Sequence, residues 1–172
     1  MINNDYMERF VVSGITLDEK EAKVTIKKVP DEPGTAGFIF TQLAEAGINV
    51  DMIIQSSTKQ GRNDISFTIK EESLEDTRRA MEKIREKLEL EMEEIIYDSD
   101  MAKVSLIGAG MQSHPGVAAR MFTCIGEKKI NIDMISTSEI KISCVVRKNE
   151  GKKAVRAIHQ EFELDKEDNF AT

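Results

Sequence analysis

The sequence predicts an α+β protein made of two ferredoxin-like βαββαβ modules, each an antiparallel sheet with its helices on one face. Three observations carry that expectation. INVDMI at 48–53 returns as INIDMI at 130–135, and Pro33-Gly34 returns as Pro115-Gly116 at the same offset. AKVTI at 22–26 returns as AKVSL at 102–106 at an offset shorter by two, so the second copy holds two extra residues before its Pro-Gly. Within each copy the apolar period switches between that of a strand and that of a helix.

In the first copy Lys23–Val29 alternates and is β-rich. Pro33-Gly34 then opens a helix whose apolar face is Ala36, Ile39, Phe40, Leu43 and Ala44, and Gly47 follows where a left-handed residue closes a helix. Asn49–Ser56 and Asp64–Lys70 read as a hairpin around Gly61. Ser73 with Asp76 forms a capping-box pattern, and Leu74, Met81, Ile84 and Leu88 make the stripe of a second helix before a last strand at Glu91–Tyr97.

The second copy repeats this order: strand Lys103–Gly108, a helix facing inward with Ala118, Met121, Phe122 and Ile125, strands Asn131–Ser138 and Lys141–Arg147, and a helix marked by Val155, Ile158 and Phe162. IKISCVV at 140–146 is matched to DISFTIK at 64–70. The tail ELDKEDNFAT is too polar for a closing strand. The β-rich segment Phe10–Thr16 has no role in the first copy, so it is expected to complete the second sheet, making the first module an insertion within the second. The expected boundaries are 20–98 for the first module and 8–19 plus 99–165 for the second, with 1–7 and 166–172 as flexible termini. Modules that bury one sheet face are expected to pair through edge strands, so a homodimer is expected.

Composition narrows the function. The 172 residues carry 24 Lys+Arg against 31 Asp+Glu, a formal charge of −7, which opposes nucleic acid and anionic membranes as partners. No apolar run approaches the roughly 18–20 residues of a membrane span, and MINNDYMERF lacks the features of a signal peptide, so a cytoplasmic location is expected. Cys124 and Cys144 lie in apolar-periodic segments without metal-ligand spacing and read as buried free thiols. His114 and His159 stand far apart in the sequence and in unlike contexts, so neither a metal site nor a Ser-His pair is expected. Gly108-Ala109-Gly110 after a strand imitates a dinucleotide fingerprint, but Ser113 occupies the third glycine's place, and no cofactor is expected. Nothing in the chain points to a catalytic residue.

The chemistry that does recur is the strand-to-helix junction. A helix start offers unpaired N–H groups and a positive dipole end to an anion such as a carboxylate, and Gly34 and Gly116 let a ligand approach the backbone. The neighbouring strand carries Asn49, Asp51 and Gln55, which supply a carboxylate for an ammonium group and an amide for a hydroxyl. A free α-amino acid needs that combination.

With KVSLIGAGMQSHPGVAARMF, INIDMISTSEIKIS and VRAIHQEF, residues 8–165 resemble the C-terminal regulatory region of aspartate kinase, with its tandem ACT domains, and above all the β subunit of the lysine- and threonine-sensitive class. The resemblance implies a regulatory chain without the kinase domain, partnered by a catalytic aspartate kinase subunit or domain. It would bind threonine and/or lysine at an ACT interface between chains for feedback inhibition of lysine, threonine and methionine biosynthesis. Carried over by position, the effector site would use Asp31, Gly34, Asn49, Asp51 and Gln55, with Asn131 and Ile132 from the partner's second module. A second effector site would use Met111, Ser113, His114, Gly116, Asp133, Thr137 and Ser138. Gln55 can pair with a hydroxyl, which favours threonine at the first site. A free-standing ACT sensor acting on another protein is the alternative.

Overall fold

The computed structural model describes residues 11–58, 60–109 and 116–163. Expectations placed on Phe10, on both termini, and on Met111, Ser113 and His114 lie outside the described residues. The chain divides into two compact units, Lys20–Met101, and Met1–Glu19 together with Ala102–Thr172.

The unit Lys20–Met101 takes the second part of strand β1 (Val11–Pro30), helix α1 (Thr35–Glu45), strands β2 (Val50–Ser57) and β3 (Arg62–Lys70), helix α2 (Leu74–Leu88) and the first part of strand β4 (Ile95–Ala109). Its strands lie in the order β2-β3-β1-β4, with β3 antiparallel to both neighbours for which the register is given, β1 and β2. Alternation decides the faces. Ala22, Val24 and Ile26 of β1 and Ile65, Phe67 and Ile69 of β3 join Ile39 and Leu43 of α1 and Met81 and Ile84 of α2 in one core. Phe40 meets Phe67 edge-on, ring centroids 5.7 Å apart.

The helices depart from expectation in informative ways. Ala36 and Ala44 are exposed, because the stripe of α1 that meets the sheet is the i, i+4 pair Ile39 and Leu43, with Phe38 and Phe40 only partly buried beside it. Ser73 caps nothing with its side chain; a 3-10 turn, Glu71–Ser73, leads into α2 instead. Thr77 is buried there because its hydroxyl donates to the Ser73 carbonyl, 2.7 Å away, which frees its methyl for the core. A capping box does form between Glu91 and Glu94 at the 3-10 turn Met92–Glu94, so the strand expected from Glu91 starts at Ile95.

The other unit holds the first part of β1, the second part of β4, helix α3 (Val117–Glu127), strands β5 (Met134–Thr137) and β6 (Lys141–Arg147), and helix α4 (Gly151–Glu161). Its order is β1-β4-β6-β5. Val104, Leu106, Met121, Ile125, Cys144 and Ile158 form its core, and Val12, Ile15 and Leu17 pack against that core. Gly151 leaves no room for a side chain: a Cβ there would stand 2.9 Å from Leu17 Cδ1 and 3.1 Å from Ala102 Cβ.

Two pairs of expected strands are each one continuous strand. Residues 17–22, LDEKEA, are too polar to read as β, yet β1 runs through them without a break. Glu21 is fully buried and reaches Lys70 Nζ at 2.9 Å, its antiparallel neighbour in the register. The match between β3 and β6 also shifts by one residue. Ser66 corresponds to Ser143 and Phe67 to Cys144, since each serine bonds the hydroxyl of the strand beside it while each following residue enters a core. A one-residue slip would exchange the two faces.

Candidate effector site

The first junction is built by a bulge. The β1–β3 register shifts between Ile26 and Val29, with Lys28 at φ 56, where its N–H donates to Asp64 Oδ1 at 3.0 Å and its carbonyl accepts from Arg62 Nη1 at 3.0 Å. This ties the end of β1 to the start of β3. Asp31 continues the tie: its N–H donates to the Gly61 carbonyl at 3.0 Å, and its Oδ1 accepts from Asn63 Nδ2 at 2.8 Å. Asp31 is exposed and Asn63 is buried.

Gly34 then starts α1 at φ 92, and Gly116 starts α3 at φ 99. These are left-handed torsions that favour glycine. A Cβ at either would meet nothing within 4 Å among the described residues, so torsion selects the residue there. The first backbone bonds, Phe38 N–H to Gly34 and Arg120 N–H to Gly116, are both 2.9 Å, and among the described residues neither helix start has a side-chain cap. The two helix starts are built alike.

The sequence-expected residues divide between two ends of each sheet. Ser57 lies opposite Asn63 and Gln55 opposite Ile65, so Gln55 shares the face and the end of Asn63 and Asp31. Asn49 precedes β2 and Asp51 falls in a bulge between Val50 and Ile53, where Met52 N–H donates to Thr68 Oγ1 at 3.1 Å. Asp51 and Ser57 stand at opposite ends of β2, roughly 20 Å of strand apart. Within this module the structure therefore groups Asp31, Gly34 and Gln55, and sets Asn49 and Asp51 apart at the far end.

The second module repeats the division. Asn131 and Ile132 precede β5, with Ile132 half-buried against the core, and Asp133 N–H donates to Val145 while its Oδ2 stands 3.7 Å from Arg147 Nη2. Thr137 and Ser138 occupy the other end, where Ser138 N–H and Oγ both donate to the Lys141 carbonyl, at 2.8 and 3.4 Å. Gly108 N–H donates to Ile140 there, so the chain leading toward Gly116 leaves from that same end.

Residues 26–85 and 104–162 each match the model of the ACT domain family. The structure is similar to the ligand-free regulatory subunit of aspartate kinase from Thermus thermophilus, with a TM-score of 0.82 at 38% identity, over 88% of this chain and 98% of that one. The chain belongs to the aspartate kinase regulatory family, with tandem ACT domains. It is also similar to a crystal structure of aspartokinase α and β subunits, with a TM-score of 0.81 at 38% identity over 89% of this chain and 99% of that one. The aspartokinase of Corynebacterium glutamicum is 44% identical over 166 residues, covering 94% of this chain and 38% of that protein. The chain thus spans little more than a third of such curated relatives, and it is the regulatory part, not the catalytic domain, that these ACT modules match.

Asn63, which bonds Asp31 at this candidate junction, is not among the site residues that the sequence suggests. Its signal is available in retrospect: Asn63, Ile65, Phe67 and Ile69 alternate on one strand face, and only the first is polar. A cavity of about 350 Å³ lies elsewhere, between α1 and α2, lined by Gln42, Glu45, Asp76, Arg79 and Lys83. It is bordered by exposed, opposite charges and shares no residue with either ACT junction.

Proposed function

We propose that this chain is an amino-acid sensor that restrains an aspartate kinase, the enzyme that transfers the ATP γ-phosphoryl group to the β-carboxylate of aspartate. The observation that carries this reading is the junction of Asp31, Gly34 and Gln55: an uncapped helix start for an α-carboxylate beside a carboxylate for an ammonium group and an amide for a hydroxyl. Threonine fits that set, with lysine as the second effector.

The two-ended placement refines the carried-over site. In an antiparallel, side-by-side pairing, the Asp31 end of one chain's first module meets the start of β5, Asn131 and Ile132, in a partner chain. The repeat then sets the same chain's Asn49 and Asp51 against the partner's Gly116, Thr137 and Ser138. On this reading Asn49 and Asp51 serve the second site and not the first. Exposed apolar residues on the edge strands support such a homodimer: Ile53 on β2 and Ile135 on β5, at equivalent places in the repeat, are 52% and 42% exposed.

Binding between chains favours one arrangement of modules, and a cytoplasmic catalytic domain attached or associated with them responds. Typical coupling is about 1–3 kcal/mol, or 5- to 150-fold. In the holoenzyme, threonine slows phosphorylation of aspartate, and Ser138→Phe, which crowds the hairpin end of the second module, relieves that inhibition. Wild-type inhibition in Ser138→Phe, or no response to threonine or lysine, would count against the reading.

A further inference from the structure

The Asn63 side chain is 4% exposed, and its two polar ends fare differently. Nδ2 donates to Asp31 Oδ1 at 2.8 Å, while Oδ1 is buried with no hydrogen-bond partner among the described residues. Exchanging the two ends does not help, because the amide oxygen would then face a carboxylate oxygen and two acceptors would meet. A buried acceptor without a donor is costly, and an apolar residue of similar shape would remove the cost. The position asks for one: it continues the Ile65, Phe67, Ile69 face, opposite Val29 on one side and Ser57 on the other. The stability of the module is not what the asparagine serves. The one bond it makes goes outward, to an exposed carboxylate that water could satisfy equally well.

What Asn63 supplies is direction. The bond to one oxygen of Asp31, together with the Asp31 N–H held by Gly61, ties this exposed residue at two points and leaves Oδ2 outside the Asn63 bond. We propose that Asn63 is a positioning residue of the effector site, retained at a cost in stability to orient Asp31 toward the ammonium group of an amino-acid ligand. This rests on the reading that Asp31 binds the effector. Such an arrangement raises affinity by ordering the carboxylate before the ligand arrives.

Threonine titrations of the full chain, with wild type, Asn63→Val, Asn63→Thr and Asp31→Ala, test it. Valine and threonine have one shape and differ by a donor, so packing treats them similarly while Asp31 does not. The expected result is a 5- to 20-fold loss of affinity in Asn63→Val with a melting temperature equal to or above wild type, and a clearly smaller loss in Asn63→Thr. Unchanged affinity in Asn63→Val, equal losses in both variants, or a loss that follows a fall in melting temperature would overturn the proposal. Asp31→Ala separates the two levels. If it binds threonine as wild type does, the site reading fails and takes this inference with it; if it loses affinity while Asn63→Val does not, only the inference fails.

Discussion

Ser105 Oγ lies 2.7 Å from Ser143 Oγ, joining the two inner strands of the second module, and Thr25 Oγ1 and Ser66 Oγ make the same bond at 3.0 Å in the first. Ser105 and Ser143 are both buried. Ser143→Ala leaves the Ser105 hydroxyl buried beside a methyl group, at a cost of about 1–3 kcal/mol, whereas Ser105→Ala with Ser143→Ala removes both polar atoms and costs less than the two single changes together. Urea unfolding of the four proteins measures this. Additive losses would contradict the pairing.

Helix α1 ends in a Schellman motif, with Gly47 N–H on Ala44 and Ile48 N–H on Leu43, and Gly47 takes φ 74. The second copy makes the same motif with Lys129 at φ 59, its N–H 2.8 Å from the Gly126 carbonyl. A side chain in that region carries a torsional cost of about 1 kcal/mol. Lys129→Gly is therefore expected to raise the melting temperature, and Gly47→Lys to lower it; thermal denaturation showing the reverse would contradict the argument.

What sequence could and could not reveal follows from the range of each interaction. The helix starts at Pro33-Gly34 and Pro115-Gly116 and the turn at Gly47 were legible because they rest on a single residue's backbone freedom. The continuity of β1 through LDEKEA was not, since those residues carry little β-propensity and strand pairing is a non-local interaction that overrides it. Ser73 and Asp76 matched a local pattern that a 3-10 turn displaced. At the candidate site the residue types were legible but their grouping was not: Asn49, just before β2, and Gln55, within it, are near in sequence, and only the pairing of β2 with β3 shows which end each is at. The bond from Asn63 to Asp31 joins residues on two different strands' ends and has no local signature.

Val12, Ile15 and Leu17 pack against the core of the second module, and Gly151 lies close to Leu17 there. Gly151→Ala pushes a methyl group against Leu17 and Ala102 and is expected to cost about 1–3 kcal/mol. Leu17→Ala should relieve much of the clash, so the double variant loses less than the sum. Chemical denaturation of both single variants and the double variant checks this.

Burial first, and the charge of Cys124 second, push the Cys144 thiol up to about 12. The folded state therefore keeps a proton that the unfolded chain releases near pH 9, so this contribution to stability is complete below pH 9 and falls as pH rises from about 9 to 12. Cys144→Val should show a smaller fall in melting temperature over pH 8.5 to about 10.5 than wild type. Parallel alkaline curves for the two proteins would contradict it.

The central claim we propose is that the Asp31 junction of this regulatory chain receives free threonine. Calorimetric titration of the wild-type chain and Asp31→Ala with L-threonine, then with L-lysine, tests it most directly. The account predicts saturable threonine binding by wild type that weakens at least tenfold in Asp31→Ala, about 1.4 kcal/mol or more. Identical threonine binding by both proteins, or lysine bound while threonine is ignored, would contradict it.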